Sequence, residues 1–267
     1  MDTRTKHNLV VLGRDDGPVL MLAHGFGCDQ HMWRLVVPIL ARTCRVILFD
    51  LVGAGRSDLS AWDDERYSTL RGYAEDVAEI FRELDLRDVV FVGHSVSAMI
   101  GVMAATLEPQ RIAKLVLVTP SPCYIDDGEY RGGFSRQDID ELLESLDSNY
   151  LGWSRTMAPV IMGNPDRPEL GAELTNAFCQ MQPHIAQVFA RTTFLSDSRP
   201  DLQGVVVPTL ILQCMQDVIA PPEVGAYVHA AIPGSRLVTL AATGHCPQLS
   251  APDGTAAAIL DFLAATS

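Results

Sequence analysis

Apolar residues gather along the first half of the chain in short, β-branched runs, with stretches of helical periodicity between them. The runs cover 8–12, 19–23, 45–49, 89–92 and 115–118, and the pattern returns at 208–212 and 236–240. They are continuous rather than alternating, as expected of strands covered on both faces. Between them, Leu70, Tyr73, Ala74, Val77, Phe81 and Leu84 recur at helical spacing behind the capping candidates Ser68 and Thr69. Strands alternating with helices predict an α/β fold around a mostly parallel sheet.

The alternation stops between about Tyr124 and Asp197. There Ile139, Leu142, Leu143, Leu146 and Tyr150 form one apolar stripe, and Ser135 with Asp138 reads as a capping box. Three further helices are expected around 150–161, 168–181 and 183–194. This pattern predicts a helical cap, residues 124–196, inserted into a core formed by 1–123 and 197–267.

One junction carries a chemical signal. The run 89–92 passes straight into a small-residue helix through Gly93-His94-Ser95-Val96-Ser97, which matches the G-x-S-x-G nucleophile elbow with Ser97 in place of the second glycine. The turn is sharp, so the residues two places either side of the serine must be small. An ordinary strand-to-helix turn is the alternative, but the apolar strand before it and the small-residue helix after it favour Ser95 as a nucleophile of the α/β-hydrolase type. Such a serine needs a base and an orienting carboxylate, in the chain order Ser, acid, His. Asp217 follows the run 208–212 and His245 follows the run 236–240, both just past strand ends where open α/β sheets collect their sites. The Val96 N–H opens a helix, and the loop His24-Gly25-Phe26-Gly27 supplies the Phe26 N–H; these two are the candidate oxyanion donors. His94 is expected as a pocket wall, and His7, His31, His184 and His229 as packed or solvated side chains. Gly53-Ala54-Gly55 lacks the third glycine of a dinucleotide site.

Charge and composition narrow the partners. The net charge is −13, from 20 basic and 33 acidic residues, which repels phosphate backbones and anionic lipid surfaces, so neither nucleic acid nor membrane is expected. None of the six cysteines forms a CxxC pair or sits at zinc-ligand spacing; no metal and no cofactor are expected, and the thiols read as packed and reduced. The first residues are polar, without the apolar core of a signal peptide, which makes a cytoplasmic location the default expectation.

Several stretches carry more than the general fold: His24-Gly-Phe-Gly-Cys-Asp-Gln30, Phe49-Asp-Leu-Val-Gly-Ala-Gly55, the elbow, Ser121-Pro-Cys-Tyr124, Tyr130-Arg-Gly-Gly-Phe134, Asn149-Tyr-Leu-Gly-Trp153 and Gly244-His-Cys-Pro247. Together they resemble the RsbQ-like stress-regulator hydrolases of bacteria and their plant relatives, the karrikin and strigolactone receptors, over essentially the whole chain. The resemblance implies a seven-stranded core under a four-helix, V-shaped cap, with a deep apolar pocket between them and the serine at its floor. Matching positions implicate Phe26, Tyr124, Phe134, Trp153, Met157, Phe178, Phe189, Phe194 and Ile219 as pocket lining, with packing inside the cap as the alternative for each. Met157 stands where the plant receptors tend to carry an aromatic residue, and Gln248 where a second histidine often follows the catalytic one. The expected activity is hydrolysis of a small hydrophobic ester or lactone. The alternative is a signalling protein whose ligand regulates a partner, in the RsbQ-like case a phosphatase with a PAS sensor domain. A dehalogenase or epoxide hydrolase would need a carboxylate at the elbow, where this chain has Ser95.

Overall fold

A computed structural model describes residues 2–265. Seven strands form one sheet in the order β1-β3-β2-β4-β5-β6-β7. They are β1 (Val10–Gly13), β2 (Val19–Ala23), β3 (Arg45–Leu48), β4 (Val89–His94), β5 (Ile112–Val118), β6 (Thr209–Gln216) and β7 (Arg236–Thr243). Only β1 runs antiparallel to its neighbour; every other pair is parallel. Each apolar run of the sequence overlaps one strand, and the differences at the ends have local causes. At Asn8 the chain is turning, with φ 46°, so β1 starts later than its run. Strand β5 starts earlier, at Ile112, because Lys114 interrupts the apolar run without breaking the strand. Its ammonium donates to the carbonyls of Phe262 (3.0 Å) and Ala265 (3.1 Å).

The helices of the first half are α1 (Thr3–Lys6), α2 (Val37–Leu40), α3 (Leu70–Glu83) and α4 (Val96–Leu107). Thr69 occupies the N-cap of α3 but makes no side-chain capping bond; its extended backbone alone starts the helix. Four helices lie between β5 and β6: α5 (Arg136–Ser148), α6 (Tyr150–Met162), α7 (Pro168–Gln180) and α8 (Pro183–Phe194). Ser135 and Asp138 cap α5 reciprocally, through bonds of 3.1 and 2.8 Å. Helix α6 stops at Gly163 in the left-handed conformation, φ 63°, and α7 and α8 each open on a proline at the first turn. Then α9 (Pro222–Ala231), α10 (Pro247–Ser250) and α11 (Pro252–Ala264) complete the chain. No helix among the described residues is long and apolar enough to cross a membrane.

Strand β4 sits at the centre of the sheet, and all its residues are buried. Phe91 on this strand packs against Gly101 of α4 so closely that a Cβ at Gly101 would lie 2.5 Å from the ring. This contact brings α4 down onto the strand that feeds it, and so sets the angle of the turn between them. Truncating Phe91 to Ala leaves a cavity under that turn, and we expect a loss of about 3–5 kcal/mol. Urea unfolding at unchanged m-value checks this; a loss below about 1 kcal/mol would mean that the turn does not rest on this ring.

Candidate active site

Ser95 links β4 to α4 with φ 56° and ψ −124°, outside the ordinary allowed regions. Its N–H donates to the Val118 carbonyl (2.9 Å), at the end of the neighbouring strand. A Cβ at Gly93 would lie 2.2 Å from the Ser97 carbonyl oxygen, so only glycine fits before this turn. Ser97, where the elbow pattern has glycine, adds a bond: its hydroxyl donates to the His24 carbonyl at 2.5 Å. That bond ties the start of α4 to the loop after β2. The same loop crosses the elbow at Gly25, where a Cβ would meet His94 Nδ1 at 2.6 Å and Ser95 Cβ at 3.1 Å. His24 fixes the loop from below, accepting from the Leu51 N–H (3.0 Å) and donating through Nδ1 to the Gly25 carbonyl (2.9 Å). The N–H groups of Phe26 and Val96 have no acceptor among the described residues.

Asp217 follows β6. Its Oδ1 accepts from the N–H groups of Ile219 (2.8 Å) and Ala220 (3.1 Å), which leaves Oδ2 aimed at His245 Nδ1, 2.7 Å away. His245 follows β7, and its Nε2 lies 2.7 Å from Ser95 Oγ. The Asp217 side chain is fully buried and the imidazole nearly so. In this setting Nδ1 carries the proton, given to the carboxylate, and Nε2 is the free base facing the hydroxyl. The three side chains picked out by chain order therefore meet in one line of hydrogen bonds.

The backbone of His245 is held as firmly as its ring. Its N–H donates to the Ile161 carbonyl (2.9 Å) in the last turn of α6. Its carbonyl accepts from His94 Nε2 (2.7 Å) and lies 3.1 Å from the Thr119 hydroxyl. Gly244, at φ 85°, lies so close to α6 that a Cβ there would overlap the Met162 carbonyl oxygen. His94 was expected only as a pocket wall; it lines the cavity and also holds His245. Burial, reinforced by the imidazole of His245, pushes its pKa well below the ordinary histidine value, so it serves as a neutral donor. Neither the Thr119 contact nor the Ile161 contact is visible in sequence, because both run between backbone or short polar groups far apart in the chain.

The cavity above Ser95 is small, about 30 Å³. Aromatic rings crowd the space where the resemblance implies a deep pocket. Of the expected lining residues, Phe26, Tyr124, Phe178, Phe194 and Ile219 face the cavity. Trp153 and Phe189 stand one layer back. Trp153 stacks on Phe178 (centroids 5.8 Å apart, planes at 7°), and Phe189 lies 5.4 Å from Phe26. Phe134 and Met157 lie elsewhere, with Trp153, along an open groove between α5 and α6. For Trp153, Met157 and Phe189 the cause is helical phase, which decides which part of a buried stripe meets the cavity and which the neighbouring helix; Phe134 lies in the loop before α5, bridged to Ile125. Cys28, Ile161, Leu174, Thr193 and Cys246 also line the cavity. Leu174 was within reach of sequence reasoning, four residues before Phe178 on α7. All six cysteines are free, and burial raises the thiol pKa values of Cys28 and Cys246.

Sheet order, elbow and hydrogen-bonded Ser-His-Asp line define the class, an α/β-hydrolase fold with a serine at the turn between β4 and α4. The model of the alpha/beta hydrolase family matches residues 19–258, and the chain belongs to that family. It is similar to a probable esterase of Oryza sativa subsp. japonica, 42% identical over 248 residues, covering 92% of each chain. It is equally similar to the Karrikin insensitive 2 receptor CA of Petunia hybrida, 42% identical over 248 residues, again with 92% of each chain covered. A solved hydrolase from Oleispira antarctica superposes with a TM-score of 0.96 at 41% identity, over 99% of this chain and 97% of that one.

The depressed pKa of His94 has a consequence for stability. The unfolded chain takes up a proton on this side chain as pH falls through about 6.5, whereas the folded chain resists it. The contribution is therefore intact above about pH 6.5, declines as pH falls, and levels off below the folded pKa. His94→Gln keeps an N–H donor for the His245 carbonyl but removes the titration. Its unfolding temperature should fall less between pH 7 and 5 than that of the unmodified chain; parallel pH profiles would contradict the assignment.

Proposed function

We propose that this chain is a serine hydrolase that cleaves a small, hydrophobic carboxylic ester or lactone through an acyl-enzyme on Ser95. The observation that carries the reading is the unbroken line from Ser95 Oγ through His245 to Asp217, with both contacts at 2.7 Å. In the first step Ser95 Oγ attacks the carbonyl carbon while His245 Nε2 takes the hydroxyl proton. The carbonyl oxygen becomes an oxyanion, which the Phe26 and Val96 N–H groups stabilise; the start of α4 adds its dipole there. His245 then returns the proton to the leaving alkoxide as its C–O bond breaks. In the second step His245 removes a proton from water, the resulting hydroxide attacks the acyl carbon, and Ser95 leaves with the proton restored. Asp217 holds the imidazole tautomer and stabilises its charged form throughout.

Family membership and the esterase named among the relatives support ester chemistry. The aromatic lining supports a compact apolar substrate. Because the cavity is small and ringed by aromatic side chains, a substrate enters when the rings over Ser95 and the helices that carry them give way. We assign that movement to residues 124–196 as a cap on the core. The receptor among the relatives supports a second reading, in which capture of the ligand by the same triad alters the binding of a partner protein. Fast multiple turnover of simple esters would favour the enzyme; one slow turnover ending in a persistent adduct would favour the regulator.

Two substitutions test the chemistry. Ser95→Ala should abolish aryl-ester hydrolysis with the fold intact by circular dichroism, and a serine-directed phosphonate should add mass only to the Ser95 peptide of the unmodified chain. Retained turnover would remove Ser95 as nucleophile. Asp217→Asn should lower kcat by about 10⁴, as in other triads. If stopped-flow or steady-state assays show less than a tenfold loss, the orienting role of Asp217 is wrong.

A further inference from the structure

Several hydroxyls buried on the helices of this protein are paired: Ser97 donates to the His24 carbonyl, Ser154 and Thr255 to the carbonyl four residues back, and Thr192 to the Tyr67 carbonyl. Those of Thr3, Tyr73 and Ser250 are not, and none of these three residues lines the cavity above Ser95. Thr193, on the same helix as Thr192, is unpaired too: its Oγ1 is buried and has no partner among the described residues, although a carbonyl one turn back is the usual recourse for a helical threonine. The side chain is 1% exposed and lines the cavity above Ser95. Tyr124, across the same cavity, is also 1% exposed and its hydroxyl is likewise unpaired. It lies near the Ser95 hydroxyl, which tempers the effect of burial; the phenol is pushed up to about 12 and so remains a donor at neutral pH. Leaving two hydroxyls without partners in an apolar wall is costly unless something that enters the cavity meets them.

We infer that Thr193, with Tyr124, forms a second polar pole in the acyl cavity, which selects esters or lactones carrying a further ether or carbonyl oxygen beside the scissile carboxyl group. The inference rests on the hydrolase reading above and deepens it from a plain hydrophobic ester to an oxygenated one. A buried, unpaired hydroxyl on a residue that lines a cavity walled mostly by aromatic and aliphatic carbon discriminates strongly, because a substrate lacking the acceptor leaves the donor buried and unpaired. Of the other lining side chains, Phe26, Ile161, Leu174, Phe178, Phe194 and Ile219 are carbon, His94 spends its N–H on the His245 carbonyl, and the thiols of Cys28 and Cys246 are weak donors beside a hydroxyl. A valine at position 193 would fill the same volume without the unpaired hydroxyl, so packing alone gives no reason for threonine.

Matched aryl esters isolate the effect. The 4-nitrophenyl esters of pentanoic acid and 3-methoxypropanoic acid differ by one methylene replaced by oxygen, and that of 4-oxopentanoic acid adds a carbonyl. We expect the kcat/KM ratio of an oxygenated ester to the pentanoate to fall about tenfold in Thr193→Val, to persist in Thr193→Ser, and the thermal midpoint of Thr193→Val to be no lower than that of the unmodified chain. Reading the ratio cancels any general loss of activity in a variant. An unchanged ratio for both oxygenated esters in a folded, active Thr193→Val protein overturns the inference and leaves the hydrolase reading standing. Absence of hydrolysis of all three esters by the unmodified chain, together with absence of a phosphonate adduct on Ser95, overturns both.

Discussion

The backbone of Ser95 is held at φ 56° and ψ −124°, a conformation that costs an L-residue on the order of 1–3 kcal/mol and persists only where the surroundings enforce it. Here the enforcement is spread over three contacts. The Ser95 N–H is fixed by the end of β5, Gly93 lets the start of α4 approach the end of β4, and Phe91 seats α4 by packing into the space above Gly101. One backbone geometry then settles two chemical matters at once. It lifts the Ser95 hydroxyl towards His245, and it turns the Val96 N–H into the free first donor of a helix. Ser97 extends the same constraint to the loop that bears Phe26, through its bond to the His24 carbonyl.

A second constraint acts on the imidazole. The backbone of His245 is pinned by α6 on one side and by His94 and Thr119 on the other, while Asp217 holds the ring. Three of these four contacts come from the core, but the Ile161 carbonyl belongs to the helices inserted between β5 and β6. The site is thus finished by an element outside the sheet. Shifting the end of α6 would release one of the ties that orient the base, whatever the reason for the shift.

Phe26 shows how the inserted helices close over the serine. Its ring lies within 6.2 Å of those of Trp153, Phe178, Phe189 and Phe194, mostly edge-on, in geometries favourable to aromatic pairs. The residue proposed to supply an oxyanion donor through its backbone therefore also anchors the α6, α7 and α8 rings through its side chain. This packing surrounds the small cavity, and the hydroxyls of Thr193 and Tyr124 on its wall have no partner among the described residues.

The arrangement of elements was legible because it depends on local pattern. Continuous apolar runs mark strands buried on both faces, Ser135 and Asp138 mark the start of a helix, and the small residues around Ser95 mark a turn that tolerates nothing larger. The sites of Ser95, Asp217 and His245 could be picked out for the same reason: parallel strands deliver their C-terminal ends to one edge, so chain order is enough to nominate them. What tertiary structure alone decided was orientation. The resemblance groups Trp153, Met157 and Phe189 with Phe178 as pocket lining, yet the rotation of each helix put Phe178 on the cavity, Trp153 and Phe189 behind it, and Met157 on an outer groove. The ties on His245 from Ile161, His94 and Thr119, and the lack of any partner for Thr193, depend on distances between residues far apart in the chain. Those distances exist only once the core has packed, and no local pattern encodes them.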